Sequence, residues 1–166
     1  MKQSEALTVS IGILGGVAVL VTATVIPVPV WVTFTAWASF FIVGGGKAGF
    51  VKSVACNFTG ILIAALSLLS IQLIGDNLLV GAICVGIGSA AMVQASKLPF
   101  THGIIPAIVW GFSQTVGTVS VTGLAVTAPL PNNPVLIAVT AMLLGAVFGY
   151  LSEAWGNRMT TTEPVS

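Results

Sequence analysis

The sequence predicts an all-α fold, a polytopic membrane helix bundle of six transmembrane helices. Three observations predict it. Apolar residues make up 56% of the 166-residue chain and charged residues only 5%, against roughly 25% charge in a soluble domain. The apolar residues fall into six runs, parted by short stretches of Pro, Gly and Asn. All five basic residues fall on one side of that reading. Lys2 precedes the first run, Lys47 and Lys52 lie between the second and third, Lys97 between the fourth and fifth, and Arg158 follows the sixth. The loops after runs one, three and five carry only Asp76. Positive residues in short loops mark the cytoplasmic side, so both termini are expected there. A spurious segment count would scatter basic residues over both sides.

Segment one runs from about Ala6 to Ile26 and carries Gly12-x-x-x-Gly16, a spacing that lets membrane helices approach closely. Its Lys and apolar run resemble the start of a signal peptide. Ile26-Pro27-Val28-Pro29 is a poor cleavage site, however, so the segment reads as a retained helix. Pro27-Val28-Pro29 makes the turn, because proline cannot continue the hydrogen-bond ladder. Segment two, about Val30 to Val43, is short for a hydrocarbon core of about 30 Å and would be a short or partly re-entrant helix. Gly44-Gly45-Gly46 ends it. Segment three begins after Lys52, runs to about Ile74 and carries Asn57 and Thr59; Gly75-Asp76-Asn77 is the next turn. Segment four, about Leu78 to Ala95, is rich in small residues and ends near Gln94. Segment five spans about Gly103 to Gly123 and holds Pro106, Trp110, Ser113, Gln114 and Thr118. Segment six, about Val135 to Glu153, carries Gly145-x-x-x-Gly149, with Trp155 beyond it as an interfacial anchor.

The chain 1–166 reads as a single transmembrane domain, with a first three-helix half at 1–75, a second at 76–157 and a cytoplasmic tail at 158–166. The halves share a weak plan. Pro27, Pro29, Trp31 and the aromatic, Thr and Ser residues after them match Pro99, Pro106, Trp110, Phe112 and Ser113. Three crossings per half is an odd number, so the second half would enter the membrane from the opposite side. That is an inverted-topology repeat, a plan many transporters use with the solute site near the midplane. The alternative is that two apolar stretches with Pro and Trp look alike by composition.

Composition also narrows function. The net charge of +1 gives no footprint for nucleic acid. Glu5, Asp76, Glu153 and Glu163 lie at segment ends or in tails, and His102 is the one histidine. No pairing of these builds a catalytic or metal site, so neither an enzyme nor a cofactor is expected. Cys56 and Cys84 lie inside apolar runs as small packing residues. Glu153 stands one helical turn from Asn157 and near Arg158, where a terminal charge pair is expected. No acid sits mid-span to bind a cation.

What remains is a neutral polar interior. Asn57, Gln94, Ser113 and Gln114 supply amides and a hydroxyl, which are costly in lipid unless they find partners or water. Trp31, Phe34, Trp37 and Phe41 form an aromatic stripe on segment two, with Trp110 as the corresponding residue of the second half. Flat rings and amides suit a planar, uncharged solute such as urea or a short amide. The leading expectation is a channel or facilitator for such a solute, lined by these residues, with His102 at its cytoplasmic mouth. Each also has a plain reading: Gln114 and Asn57 as glue between helices, the stripe as packing, His102 as a solvated interfacial residue. The rivals are a non-transporting membrane subunit or assembly partner, and a proton-coupled carrier of small weak acids using His102 or Lys97. A homo-oligomer is expected, because so small a bundle has few helices to shield its polar residues. The Gly-x-x-x-Gly faces of segments one and six are the expected contacts.

Several stretches together carry a family likeness. They are Trp37-Ala-Ser-Phe-Phe41 with Gly44-Gly45, Lys52-Ser53 with Asn57-x-x-Gly60, Gln94-Ala95-x-Lys97, and Leu144-Gly-Ala-Val-Phe-Gly-Tyr150. In order and spacing the chain resembles the bacterial inner-membrane family called domain of unknown function 1097, from Trp31 to Gly156. The resemblance implies a small multi-span protein of the bacterial inner membrane and names no substrate. One departure stands before segment five, where Thr101-His102-Gly103 replaces the family's Pro-Gly. In size and span number the chain is also similar to small urea, amide and acetate channels, a likeness of architecture that carries no function.

Overall fold

A computed structural model describes residues 1–160. Residues 161–166, which hold Glu163 and most of the expected tail, lie outside the described residues. Six helices follow one another: α1 Gln3–Thr24, α2 Val30–Ile42, α3 Gly46–Ile74, α4 Leu78–Ala95, α5 Ile105–Thr122 and α6 Pro134–Met159. Four of them, α1, α3, α4 and α6, are long and apolar enough to cross a membrane. Those four mark a multi-pass membrane protein. The other two differ from them for separate reasons. α2 has 13 residues, about 20 Å at 1.5 Å per residue. α5 has 18 residues, but Pro106, Gln114 and a run of Ser and Thr lower its hydropathy.

Local chemistry sets most boundaries. Asn77 caps α4 by accepting the Val80 N–H at 3.0 Å. Asn133 caps α6 through the Val135 and Leu136 N–H groups, and its own amide donates to the Val126 and Ala128 carbonyls. One residue thus starts a helix and fastens the loop before it. Between α2 and α3 three successive glycines, Gly44, Gly45 and Gly46, have φ of +107°, +67° and +64°. That backbone reverses the chain in a conformation side chains disfavour. Helix α3 therefore begins at Gly46, not after Lys52 as the sequence suggested. Lys47 and Lys52 lie on its first turns. At 29 residues it is about 43 Å long and outruns a core of about 30 Å.

The helices do not pack half against half as two separate bundles. The most extensive contacts join α3 to α5 and α2 to α6. α1 lies on α6 and α2, α4 lies on α3 and α5, and α3 meets α6 while α2 meets α5. Exchanging α1 with α4, α2 with α5 and α3 with α6 leaves this set of contacts unchanged. α1 and α4 are peripheral. α4 buries only Cys84, Gly88 and Met92 and turns Leu78, Leu79, Ile83 and Ile87 outward.

One end of the bundle collects every basic residue. Gly156 of α6 packs on Leu7 and Ser10 at the start of α1. Gly46 at the start of α3 is bonded to Glu153 of α6. Val43, Ala95 and Ile104, at the end of α2, the end of α4 and the start of α5, pack on one cluster with Cys56. Lys2, Lys47, Lys52, Lys97 and Arg158 flank these contacts.

Candidate functional site

Two helix crossings form the interior. At the α3–α5 crossing, a Cβ on Gly60 would run into the Ile108 carbonyl oxygen and stand 2.6 Å from the Phe112 nitrogen. A Cβ on Gly111 would strike the Asn57 carbonyl. At the α2–α6 crossing, a Cβ on Gly145 would strike the Thr33 carbonyl, and one on Gly149 would stand 2.7 Å from the Phe40 ring. Small residues bring these backbones into direct contact. Gly145-x-x-x-Gly149 is thus used inside the bundle, against the expectation of a contact between subunits. Gly12 and Gly16 of α1 face open space.

Beside these crossings lie polar side chains shut off from the surface. Asn57 is 1% exposed. Its Oδ1 accepts from Ser39 Oγ at 3.0 Å, tying α3 to α2. Its amide nitrogen has no partner, and neither has the buried hydroxyl of Thr33 on α2. An unpaired buried polar atom costs about 1–3 kcal/mol. Thr115 and Thr118, also buried, are bonded to their own helix backbone. Trp37 Nε1 donates to Ser152 Oγ at 3.0 Å, and the Trp37 ring stacks on Phe34 and Phe148 at 5.8 Å and 5.5 Å.

The residues marked out by the sequence part into three groups. Asn57 and Trp37 are buried; Trp110 is half-buried against the cluster of Val32, Ala36, Ile61 and Met142. Phe41 and Gln114 are half-buried. Trp31, Phe34, Gln94, His102 and Ser113 are exposed. Gln94 accepts from Lys97 at 2.8 Å, and Ser113 returns its hydroxyl to the Trp110 carbonyl. The aromatic stripe does not line one wall: Trp31 and Phe34 look outward while Trp37 packs on α6.

Sequence reasoning missed Thr33, Ser39 and Ser152. Ser39 stands within Trp37-Ala-Ser-Phe-Phe41, and its spacing from Val32 and Ala36 is the available signal that it shares their inward face. Glu153 was expected to pair with Asn157 or Arg158. It reaches across the bundle instead, its carboxylate accepting the Gly46 N–H at 2.6 Å. The start of α3 is the positive end of a helix dipole, which favours an anion there.

Grooves open on the outer surface. One lies between α3 and α4 at Ser67, Cys84 and Gly88, and another at the α3–α4 turn around Asn77. A third lies under the α5–α6 loop at Leu66, Val126 and Asn133, and a fourth between α3 and α6 at Lys47 and Tyr150. None of the ten residues marked out by the sequence lines these four.

A family model described as protein of unknown function DUF1097 matches residues 8–157. No curated protein and no solved structure matches the chain.

Proposed function

The chain belongs to the DUF1097 family, and from that premise we propose that it is a six-crossing membrane facilitator for a small, polar, uncharged solute of the urea or short-amide class. The observation that carries the reading is the buried Asn57 amide with an unpaired nitrogen, in the same interior as the unpaired Thr33 hydroxyl. A neutral donor there can bind a carbonyl oxygen without attracting an ion. The unchanged contact set on exchange of halves supports an inverted repeat, a design that places solute sites between halves at the midplane. The short α2 and the hydroxyl-rich α5, one from each half, touch one another. Transport would require the tight crossings at Gly60 and Gly145 to part, so the described conformation corresponds to a closed state. The cytoplasmic face would be the basic end, and the membrane the bacterial inner membrane.

Those same crossings favour a second reading, a non-transporting membrane subunit whose amides serve only packing. Stopped-flow swelling of proteoliposomes with urea, acetamide, acetate and glycerol separates the two. The first reading expects urea or acetamide to enter faster than into empty vesicles, and expects Asn57→Ala to slow that entry at least tenfold while the protein stays folded. Folded protein that admits none of the four solutes selects the second.

A further inference from the structure

Toward the basic end of the bundle, the first turns of α3 and the second half of α6 flank an open groove of about 330 Å³. It is lined by Lys47, Phe50, Val51, Val147, Tyr150 and Leu151. Its shape is fixed by ring contacts: Tyr150 meets Phe50 edge-on at 6.1 Å and Phe40 at 6.5 Å. The walls expose only carbon, so Lys47 lends its aliphatic stem and holds its ammonium at the rim. Val147, Leu151, Trp155 and Arg158 succeed one another on α6 at helical spacing, which carries the groove's outer edge past an interfacial Trp to a second cation. Among the described residues neither Lys47 nor Arg158 has an ion-pair partner. The nearby carboxylate of Glu153 is engaged by the Gly46 N–H.

We propose that this groove binds one anionic phospholipid. An acyl chain lies along Val51, Val147 and Leu151, and the phosphodiester meets Lys47, with Arg158 on the far side of the headgroup. Carbon walls give a free phosphate nothing to hold, and a zwitterionic headgroup carries its own ammonium toward the two cations. An anionic headgroup meets both requirements, and cationic sites between helices at the cytoplasmic face attract such lipids. The site stands apart from the solute reading and survives its failure.

Native mass spectrometry of the detergent-purified protein tests it, titrating dioleoylphosphatidylglycerol against dioleoylphosphatidylcholine. The anionic lipid should bind at least fivefold tighter. Lys47→Ala and Arg158→Ala should each weaken that binding about fivefold, the effect of one basic residue near a charged surface. Both side chains are exposed, so both variants should keep the melting temperature of the parent. Val147→Trp should remove the bound lipid of either kind. Equal affinity for the two lipids, an unchanged preference in Lys47→Ala, or displacement of the lipid by millimolar inorganic phosphate would overturn the proposal.

Discussion

A methyl group at Gly60 has nowhere to go, because the Ile108 carbonyl and the Phe112 nitrogen already occupy its place and neither is a side chain that can turn aside. Gly60→Ala should therefore lower stability by about 3 kcal/mol, at the upper end for overpacking. Gly12→Ala, on an open face, should be neutral or gain about 0.5–1 kcal/mol from better helix propensity. Denaturation by sodium dodecyl sulfate, followed by circular dichroism, compares the two; equal behaviour would contradict the crossing. Thr33 gives a different contrast. Thr33→Val keeps its shape and removes an unpaired hydroxyl, so stability should rise by about 1 kcal/mol. A loss of similar size would mean that the hydroxyl has a partner. At this scale the sequence was informative about residue type and silent about neighbours. Asn57 stood out as an amide in an apolar run. Its partner Ser39 lies 18 positions away on another helix, a pairing only the packing creates.

The helix α3 owes its start to its partner helix as much as to its own sequence. Gly45 and Gly46 supply the left-handed turn, and the Glu153 carboxylate of α6 accepts the Gly46 N–H. A charge-assisted bond at a helix N-terminus is worth about 1–2 kcal/mol, so Glu153→Ala should lower stability by that much, read by the same titration. Gly45→Ala should cost more. It adds strain at φ +67° and puts a Cβ against the carboxylate, so Glu153→Ala should relieve part of its cost. Additive losses in the double variant would show that the two do not touch. Element boundaries were readable where proline or asparagine marks them, as at Pro29, Asn77 and Asn133. They were misread at Gly46, because Lys47 and Lys52 look like loop residues until α3 is seen to outrun the membrane. The same limit hid the use of Gly145 and Gly149, whose spacing signals a close helix contact without naming the partner.

For the whole molecule, the distribution of basic residues was the most legible property, because orientation depends on charge and hardly on packing. Its consequence separates two topologies. If only α1, α3, α4 and α6 cross the bilayer, position 47 lies opposite position 158 and on the same side as positions 97 and 127. If all six cross, positions 47, 97 and 158 share the side of Lys2, and positions 76 and 127 share the other. The bond from Gly46 to Glu153 puts the start of α3 beside the end of α6, which supports the proposed six crossings. In that arrangement α2 would return in 13 residues, with one face packed on α6 and α3. Single cysteines at Lys47, Asp76, Lys97, Thr127 and Arg158, in a chain with Cys56 and Cys84 replaced by alanine, report the sides directly. An impermeant maleimide added to intact cells should reach 76 and 127 and leave 47, 97 and 158 unlabelled until the membrane is opened. Labelling of 47, 97 and 127 together, with 76 and 158 protected or the reverse, would establish four crossings and remove the midplane site between halves.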